Sequence, residues 1–130
     1  MCGIAGFYTT SSITEDEVIV PSFTFVATAN AVLHQGTTPV FCDINIDTFN
    51  IDINKIESLI TKKTKAIIPV HHFGLFADMD PIIEIAKKYN LYIIEDFACG
   101  FNAYYKGNPV GNFGITGCFS FHPRKAITTG

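Results

Sequence analysis

Short apolar runs alternate with stretches of helical periodicity from Glu17 onward. This alternation is typical of stacked βα units that build a mostly parallel sheet. The predicted strands are EVIVP (17–21), TPVFCDI (38–44), KAIIPV (65–70), LYIIED (91–96) and CFSF (118–121). The pattern therefore predicts an α/β fold, in which the nearly all-apolar run 91–96 is a central strand covered on both faces.

Two of the predicted helices carry clear end signals. Residues 24–35 should form a helix, because Gly36 can take the left-handed conformation that ends one. A later helix should begin at Asp80 and Pro81, since aspartate can satisfy free amides there and proline is pre-organised for the first turn. Its apolar residues repeat at helical spacing as far as Asn90, so one face is expected to pack on the sheet.

A helix between these two is predicted from its possible caps. Either Asp52 or Asn54 can cap its amino end, and Asn54 with Glu57 has the spacing of a capping box. Its apolar face would consist of Ile56, Leu59 and Ile60. After Asp96 the chain is rich in glycine and aromatic residues, which predicts turns and short hairpin-like strands.

Composition and charge limit how large a core the chain can bury and which kinds of partner it can have. A chain of 130 residues, 48% apolar and 16% charged, can bury one core, so we expect one domain or a piece of one. A net charge of -3 without a basic run argues against nucleic acid as a partner. No apolar stretch approaches the roughly 18 residues of a membrane span, and no secretion signal is evident. We therefore expect no membrane association and a cytoplasmic location.

The four cysteines are spread widely and lack CxxC spacing. We expect no metal site and reduced thiols, with Cys42 and Cys118 as buried small hydrophobic residues.

Polar residues that end apolar strands are candidates for chemistry, because ligands of open α/β sheets bind at the carboxyl ends of the strands. Asp96 is such a residue. Its carboxylate could pair with a protonated pyridine nitrogen, bind a metal, act as a base, or only cap a loop. Ser120 lies at the end of the last predicted strand and Lys125 five residues later in an irregular stretch, so a hydroxyl and an amine could converge on a phosphorylated aldehyde. On spacing alone this is weak, since a single lysine is usually a solvated surface charge.

Four segments in this order resemble the nucleotide-sugar aminotransferases of the DegT/StrS type: EVIVPSFTFVATANAVLHQGTTPVFCDI, KAIIPVHHFG, IIEDFACG and GCFSFHPRKAITTG. The resemblance covers residues 17–130. It implies the large domain of the fold type I aminotransferases and the cofactor pyridoxal phosphate. It also implies homodimers that transfer an amino group, usually from glutamate, to a keto group of a nucleotide-linked sugar, for cell-surface polysaccharide or related sugar biosynthesis.

The resemblance assigns roles to five residues. Lys125 would form a Schiff base with the cofactor and later move the proton between substrate and cofactor carbons. Asp96 would pair with the pyridine nitrogen and keep it protonated. Phe25 would stack on the ring, and Ser120 would bind the phosphate. Cys99 stands where members often have glutamine or histidine near the phenolic oxygen of the cofactor, and a thiol is the weaker donor.

Two further features depart from the family pattern. Ile115 replaces an aspartate that commonly follows FG, and His72 adds a second histidine after His71. Either histidine could reach the pocket mouth, but we favour structural histidines that are satisfied within the fold.

Both ends of the chain differ from the family. The chain is interpreted as a partial large domain, truncated at both ends, with residues 1–16 as an unrelated or mis-joined segment. The missing amino-terminal helix and its phosphate-binding turn predict weak cofactor binding by the chain alone. Within the segment, MCGIAGFY (1–8) resembles the start of class II glutamine amidotransferases such as asparagine synthetase, with Cys2 as the nucleophile.

Three alternatives to an active aminotransferase remain at this point. One is an inactive truncated fragment. The second is a glutamine amidotransferase using Cys2, although about ten residues cannot build its oxyanion hole and glutamine pocket. The third, sugar dehydration by relatives with histidine in place of the lysine, is disfavoured by Lys125.

Overall fold

The computed structural model describes residues 15–100, 102–125 and 128. The elements are β1 (Glu17–Pro21), α1 (Val26–His34), β2 (Thr38–Cys42), α2 (Ile53–Ile56), a 3-10 turn (Glu57–Leu59), β3 (Thr64–Ile67), α3 (Met79–Tyr89), β4 (Tyr92–Asp96), β5 (Tyr104–Tyr105), β6 (Asn108–Pro109) and β7 (Thr116–Cys118). Five strands form one sheet in the order β2-β1-β3-β4-β7, and all of its neighbouring pairs are parallel. The short strands β5 and β6 form an antiparallel pair. The predicted α/β fold with a mostly parallel sheet is confirmed.

The carboxyl ends of α1 and α3 follow the local signals in the sequence, whereas α3 begins at Met79 after Asp78 and not at Asp80 and Pro81 as predicted. Gly36 has a positive φ of 71° directly after the cap of α1, and Asn90 has a φ of 54° at the end of α3. Leu91 then donates its N–H to the carbonyl of Ala86 at 2.8 Å. Both residues therefore turn the chain out of a helix by adopting the left-handed conformation that glycine and asparagine tolerate.

The middle helix is shorter than predicted. Asp52 is its cap, and the carboxylate accepts a hydrogen bond from the N–H of Asn54 at 3.1 Å. The predicted capping box between Asn54 and Glu57 is wrong, because the Glu57 carboxylate instead contacts Nζ of Lys88 on α3 at 3.0 Å. The charge pair thus links the 3-10 turn to α3.

The last strand lies earlier in the chain than predicted. CFSF (118–121) was expected to be the strand, but β7 ends at Cys118. Gly117 lies opposite Glu95 in the sheet, and a Cβ at this glycine would come within 2.5 Å of the Phe97 ring. The absence of a side chain therefore lets the chain approach β4 two residues earlier than its apolar pattern indicated.

The sheet separates two apolar cores. Alternate residues of a strand point to opposite faces, so consecutive strand residues enter different cores. One core contains Ile19, Ile67 and Ile93 packed with α3, and the other contains Val20, Ile94 and residues such as Val32 of α1. At the tip of β4 the same alternation directs two adjacent carboxylates to opposite faces.

The chain order of the strands reverses between β1 and β3, which are neighbours in the sheet. Connections from such neighbouring strands diverge and leave a crevice at the carboxyl ends. Segments 22–25 and 68–78 leave the sheet at this edge, next to the end of β4. Among the helices in the described part of the chain, none combines the length and apolar character of a bilayer span.

Candidate functional site

Asp96 ends β4 and is only 8% exposed. Its Oδ2 accepts a hydrogen bond from the Thr28 hydroxyl at 3.0 Å, and its Oδ1 accepts one from the N–H of Ala98 at 3.2 Å. No lysine or arginine among the described residues forms an ion pair with this carboxylate. A buried carboxylate with only neutral donors is suited to bind a positively charged group of a ligand.

Thr28 is a residue of this site that the sequence analysis missed. It lies in the first turn of α1, is 1% exposed, and has its hydroxyl 2.8 Å from that of Thr24. Because the Thr28 proton goes to Asp96, Thr24 donates to Thr28, and the three side chains form one hydrogen-bonded chain. The contact joins residues 68 positions apart, so no local pattern could have revealed it.

Phe25 immediately precedes α1, three residues before Thr28. Its carbonyl accepts a hydrogen bond from the N–H of Thr28 at 3.0 Å, while the residue remains 71% exposed. The backbone of Phe25 is therefore fixed at the amino end of α1 with an aromatic side chain open to solvent. This geometry leaves the predicted stacking on a ring possible, and the stacking stays a prediction.

Lys125 reaches the loop that follows Asp96. Its Nζ is 3.0 Å from Sγ of Cys99, three residues after Asp96, and its N–H donates to the carbonyl of His122 at 2.8 Å. Residues far apart in the sequence thus bring an amine and a thiol together at the end of β4. The predicted pairing of this lysine with a cofactor remains a prediction.

Ser120 also lies at this edge of the sheet. It follows Cys118, which is opposite Asp96 in the sheet, and only 9% of its surface is exposed. Its hydroxyl oxygen accepts a hydrogen bond from the N–H of His122 at 3.3 Å. The structure therefore brings the segments carrying Asp96, Ser120 and Lys125 to one edge of the sheet, and Phe25 is linked to that edge through Thr28.

Both histidines of PVHHFG have partners within the fold, as the structural interpretation expected. His71 is 1% exposed and lies 3.4 Å from Glu95, and Nε2 of His72 donates to the carbonyl of Phe23 at 2.9 Å. Glu95 was not singled out from the sequence. Its only sequence signal is a glutamate in an otherwise apolar central strand.

Cys42 and Cys118 are less exposed than Cys99. Cys42 is fully buried, and its desolvation, followed by the nearby Asp52 and Asp43 carboxylates, raises the pKa of its thiol to about 11. Cys118 is partly buried against the α1-side core. Cys42, Cys99 and Cys118 are not joined by disulfides, and no cluster that could hold a metal occurs in the described ranges.

Known proteins with similar sequences decide the family. The sequence model of the DegT/DnrJ/EryC1/StrS aminotransferase family matches residues 6–130. The chain belongs to this family. It is 52% identical over 115 residues to GDP-perosamine synthase from Caulobacter vibrioides, covering 88% of this chain and 31% of that protein. It is 54% identical over 112 residues to a UDP-N-acetyl-3-dehydro-alpha-D-glucosamine 3-aminotransferase from Acidithiobacillus ferrooxidans, covering 86% and 30%.

Solved structures of aminotransferases agree with this assignment. An aminotransferase from Psychrobacter cryohalolentis superposes with a TM-score of 0.87 at 46% identity, covering 89% of this chain and 29% of that one. The PLP form of the sugar aminotransferase Spr1654 from Streptococcus pneumoniae gives 0.82 at 37% identity, covering 88% and 33%. This DegT-family chain thus spans about a third or less of the length of these relatives.

The second resemblance gains no support from these comparisons. Residues 1–8, including the predicted nucleophile Cys2, lie outside the described residues, and the family match begins within them at residue 6. The boundary predicted between residues 16 and 17 stays a prediction.

Proposed function

We propose that the protein carrying this chain is a pyridoxal phosphate-dependent aminotransferase that acts on a keto group of a nucleotide-linked sugar. The observation that carries the proposal is the buried Asp96 carboxylate, which has no cationic partner among the described residues and lies at the same sheet edge as Lys125. A protonated pyridine nitrogen would supply the missing positive charge. The residues present therefore fit this cofactor.

Three side chains would contact the cofactor without a covalent bond in this proposal. Asp96 would accept a hydrogen bond from the ring N–H and keep the proton on nitrogen, while the Thr28 hydroxyl fixes the orientation of the carboxylate. Phe25 would cover one face of the ring, and Ser120 would donate its hydroxyl to the phosphate. When bound, pyridoxal phosphate supplies a protonated aromatic ring that takes up electron density from the reacting carbon of the substrate.

Lys125 would hold the cofactor covalently and then move protons. A primary amine can bond to an aldehyde carbon, and its released Nζ can take a proton from one carbon and return it to another. In the structure Cys99 Sγ is the partner of this Nζ at 3.0 Å. A contact between Cys99 and the bound cofactor is therefore part of the proposal.

The substrate class is proposed from the relatives. Two of them are named for products or substrates linked to GDP and to UDP, so the shared chemistry is an amino group on a nucleotide-linked sugar. The family resemblance adds glutamate as the amino donor, a homodimer and a role in polysaccharide biosynthesis, and the sequence analysis adds a cytoplasmic location. These remain parts of the proposal.

Reductive labelling tests the proposal. The purified protein carrying this chain is loaded with pyridoxal phosphate, reduced with borohydride and mapped by mass spectrometry. The pyridoxyl group should appear on Lys125, and Lys125→Arg should abolish it because arginine keeps the charge but lacks a primary amine.

A matched control is Lys88→Arg, since Lys88 is an exposed lysine paired with Glu57. This variant should be labelled like the unaltered protein. A label on Lys88 or Lys106 instead of Lys125, or no label at all, would refute the proposal.

A further inference from the structure

Glu95 has no exposed surface, although it carries a carboxylate. Its Oε1 accepts hydrogen bonds from the N–H groups of Phe113 at 2.7 Å and Gly114 at 2.8 Å. Its Oε2 accepts one from the N–H of Gly111 at 2.9 Å and lies 3.4 Å from Nε2 of His71. The carboxylate has about four acceptor positions, and these four donors occupy them.

The hydrogen-bond direction at His71 follows from its second nitrogen. The N–H of Ala77 donates to Nδ1 at 3.2 Å, so the proton of the neutral ring is on Nε2 and points to Glu95. Burial by itself raises the pKa of Glu95, but the hydrogen bonds from His71 and from the three backbone amides together hold that pKa below its usual value. Glu95 is therefore ionised at neutral pH.

These contacts join three segments of the chain at the end of β4. His71 belongs to the segment after β3, and residues 111–114 lead directly into β7. The N–H of Ile115 then donates to the carbonyl of Ile93 at 2.9 Å, which starts the pairing of β7 with β4. Glu95 is thus bonded to the segment that sets where β7 begins.

Close backbone packing makes this arrangement specific. A Cβ at Gly114 would overlap the carbonyl oxygen of Ile93, and one at Gly111 would overlap the Phe97 ring. The 111–114 segment can therefore lie flat against β4 only with glycine at these two places. In this position the three amides of the segment all donate to the Glu95 carboxylate.

We infer that Glu95, supported by His71, is a positioning residue that fixes the register of β7 against β4 and thereby places Ser120 and Lys125 relative to Asp96. The inference rests on the proposed function, since it concerns residues assigned there to the cofactor. Asp96 is the next residue on β4, and Cys118 opposite it leads to Ser120 within two residues. A shift of one residue in this pairing would separate the three groups and turn β7 to its other face.

The test compares Glu95→Gln with Glu84→Gln in the protein carrying this chain. Glu95→Gln would replace one acceptor oxygen by an amide N–H₂ that faces two of the four donors, whereas Glu84 is exposed on α3 and undergoes the same chemical change. Cofactor affinity is measured by absorbance titration, Lys125 labelling by borohydride, and folding by circular dichroism and hydrogen exchange. All measurements are made under conditions in which circular dichroism shows that each variant is folded.

Glu95→Gln should weaken cofactor binding at least tenfold, lower labelling of Lys125, and speed exchange at the amides of 111, 113 and 114. Glu84→Gln should leave all of these unchanged. A purely structural role for Glu95 predicts a lower melting temperature with unchanged affinity and labelling in the folded variant, and that result would overturn the inference.

A measurement on the unaltered protein decides the matter if Glu95→Gln does not fold. Coupling between two sites is reciprocal, so cofactor loading should slow exchange at the amides of 111, 113 and 114 more than at those of Ile85 and Ala86 in α3. Equal slowing in both places would overturn the inference alone. No label on Lys125 of the unaltered protein would overturn the proposed function and this inference with it.

Discussion

The two adjacent carboxylates at the tip of β4 have opposite environments. Glu95 faces the α3 side and accepts hydrogen bonds from four donors of the fold. Asp96 faces the α1 side and accepts two from described residues, at an edge that also presents the exposed side chains of Phe25 and Cys99. Filled acceptor positions make Glu95 part of the scaffold, whereas Asp96 retains capacity for a ligand. Burial of an acid alone therefore does not distinguish the two residues, whereas the number of donors around each carboxylate does.

Replacing Asp96 should have the largest effect on activity. Asp96→Ala should lower amino transfer by about 100-fold to 1,000-fold, the range for removing one pre-positioned partner of a charge that matters in the transition state. Asp96→Asn should retain part of the cofactor affinity. Steady-state kinetics with thermal unfolding checks this, and Asp47→Ala, on an exposed loop, is the control. Near-normal turnover of Asp96→Ala would contradict the proposed difference between Asp96 and Glu95.

Replacing Glu95 should instead affect stability strongly. Glu95→Ala leaves three backbone amides and His71 without an acceptor, and we expect a loss of about 3–5 kcal/mol in the free energy of unfolding. Urea unfolding of Glu95→Ala and Asp96→Ala measures the difference directly. If the Asp96 variant were the less stable of the two, the assignment of the scaffold role to Glu95 would be wrong.

The same carboxylate should make stability depend on pH. Because the pKa of Glu95 is lowered in the folded chain from 4.5, its contribution is complete above that unfolded value and is lost as pH falls through the folded pKa. The stability advantage of the unaltered protein over Glu95→Gln should therefore be constant near neutrality and shrink in acid. Chemical unfolding from pH 7 to pH 3 tests the sign, and an advantage that grows in acid would contradict it.

Thr28→Val should have a smaller effect on the Asp96 side. It removes the hydroxyl donor to the carboxylate while keeping the shape, so cofactor affinity should fall by about 1 kcal/mol, roughly fivefold. Absorbance titration measures this, and Thr38→Val, at an exposed position of β2, is the matched control. Equal affinities for both variants would show that Thr28 does not orient Asp96.

The smallest effect concerns the thiols. At pH 8 an alkylating reagent should modify exposed Cys99 and spare Cys42, whose pKa is raised to about 11 by burial. Loading with pyridoxal phosphate should slow alkylation of Cys99, because Lys125 beside it then holds the cofactor. Mass spectrometry of timed samples gives both rates, and unchanged reactivity of Cys99 on loading would place that thiol outside the site.

Local sequence signals predicted much of the fold. Gly36 and Asn90 ended helices where expected, because backbone conformation at a cap depends on the residue itself. The late prediction of β7 had a different origin. Its place in the sheet depends on contacts between separate segments, such as Gly117 against Phe97, which apolar periodicity does not encode.

The candidate site divides in the same way. Asp96 was identifiable from its place at the end of an apolar strand, and the structure then supplied its partner. Thr28 was missed because threonine in a helix has no distinctive spacing, and the partner of its hydroxyl lies 68 residues away. Glu95 was missed because its donors are mainly backbone N–H groups, which are the same in every sequence.

Side-chain types and short spacings along the chain were enough to predict the order of strands and helices along the chain, the carboxyl ends of α1 and α3, the family resemblance and the residues proposed to bind a cofactor. The three-dimensional packing was needed to show which of two neighbouring acids has all of its acceptor positions filled by the fold and which accepts only two hydrogen bonds from described residues. The physical reason is that β-strand alternation sends Glu95 and Asp96 to opposite faces, where donors from distant segments surround one and a single hydroxyl and amide reach the other.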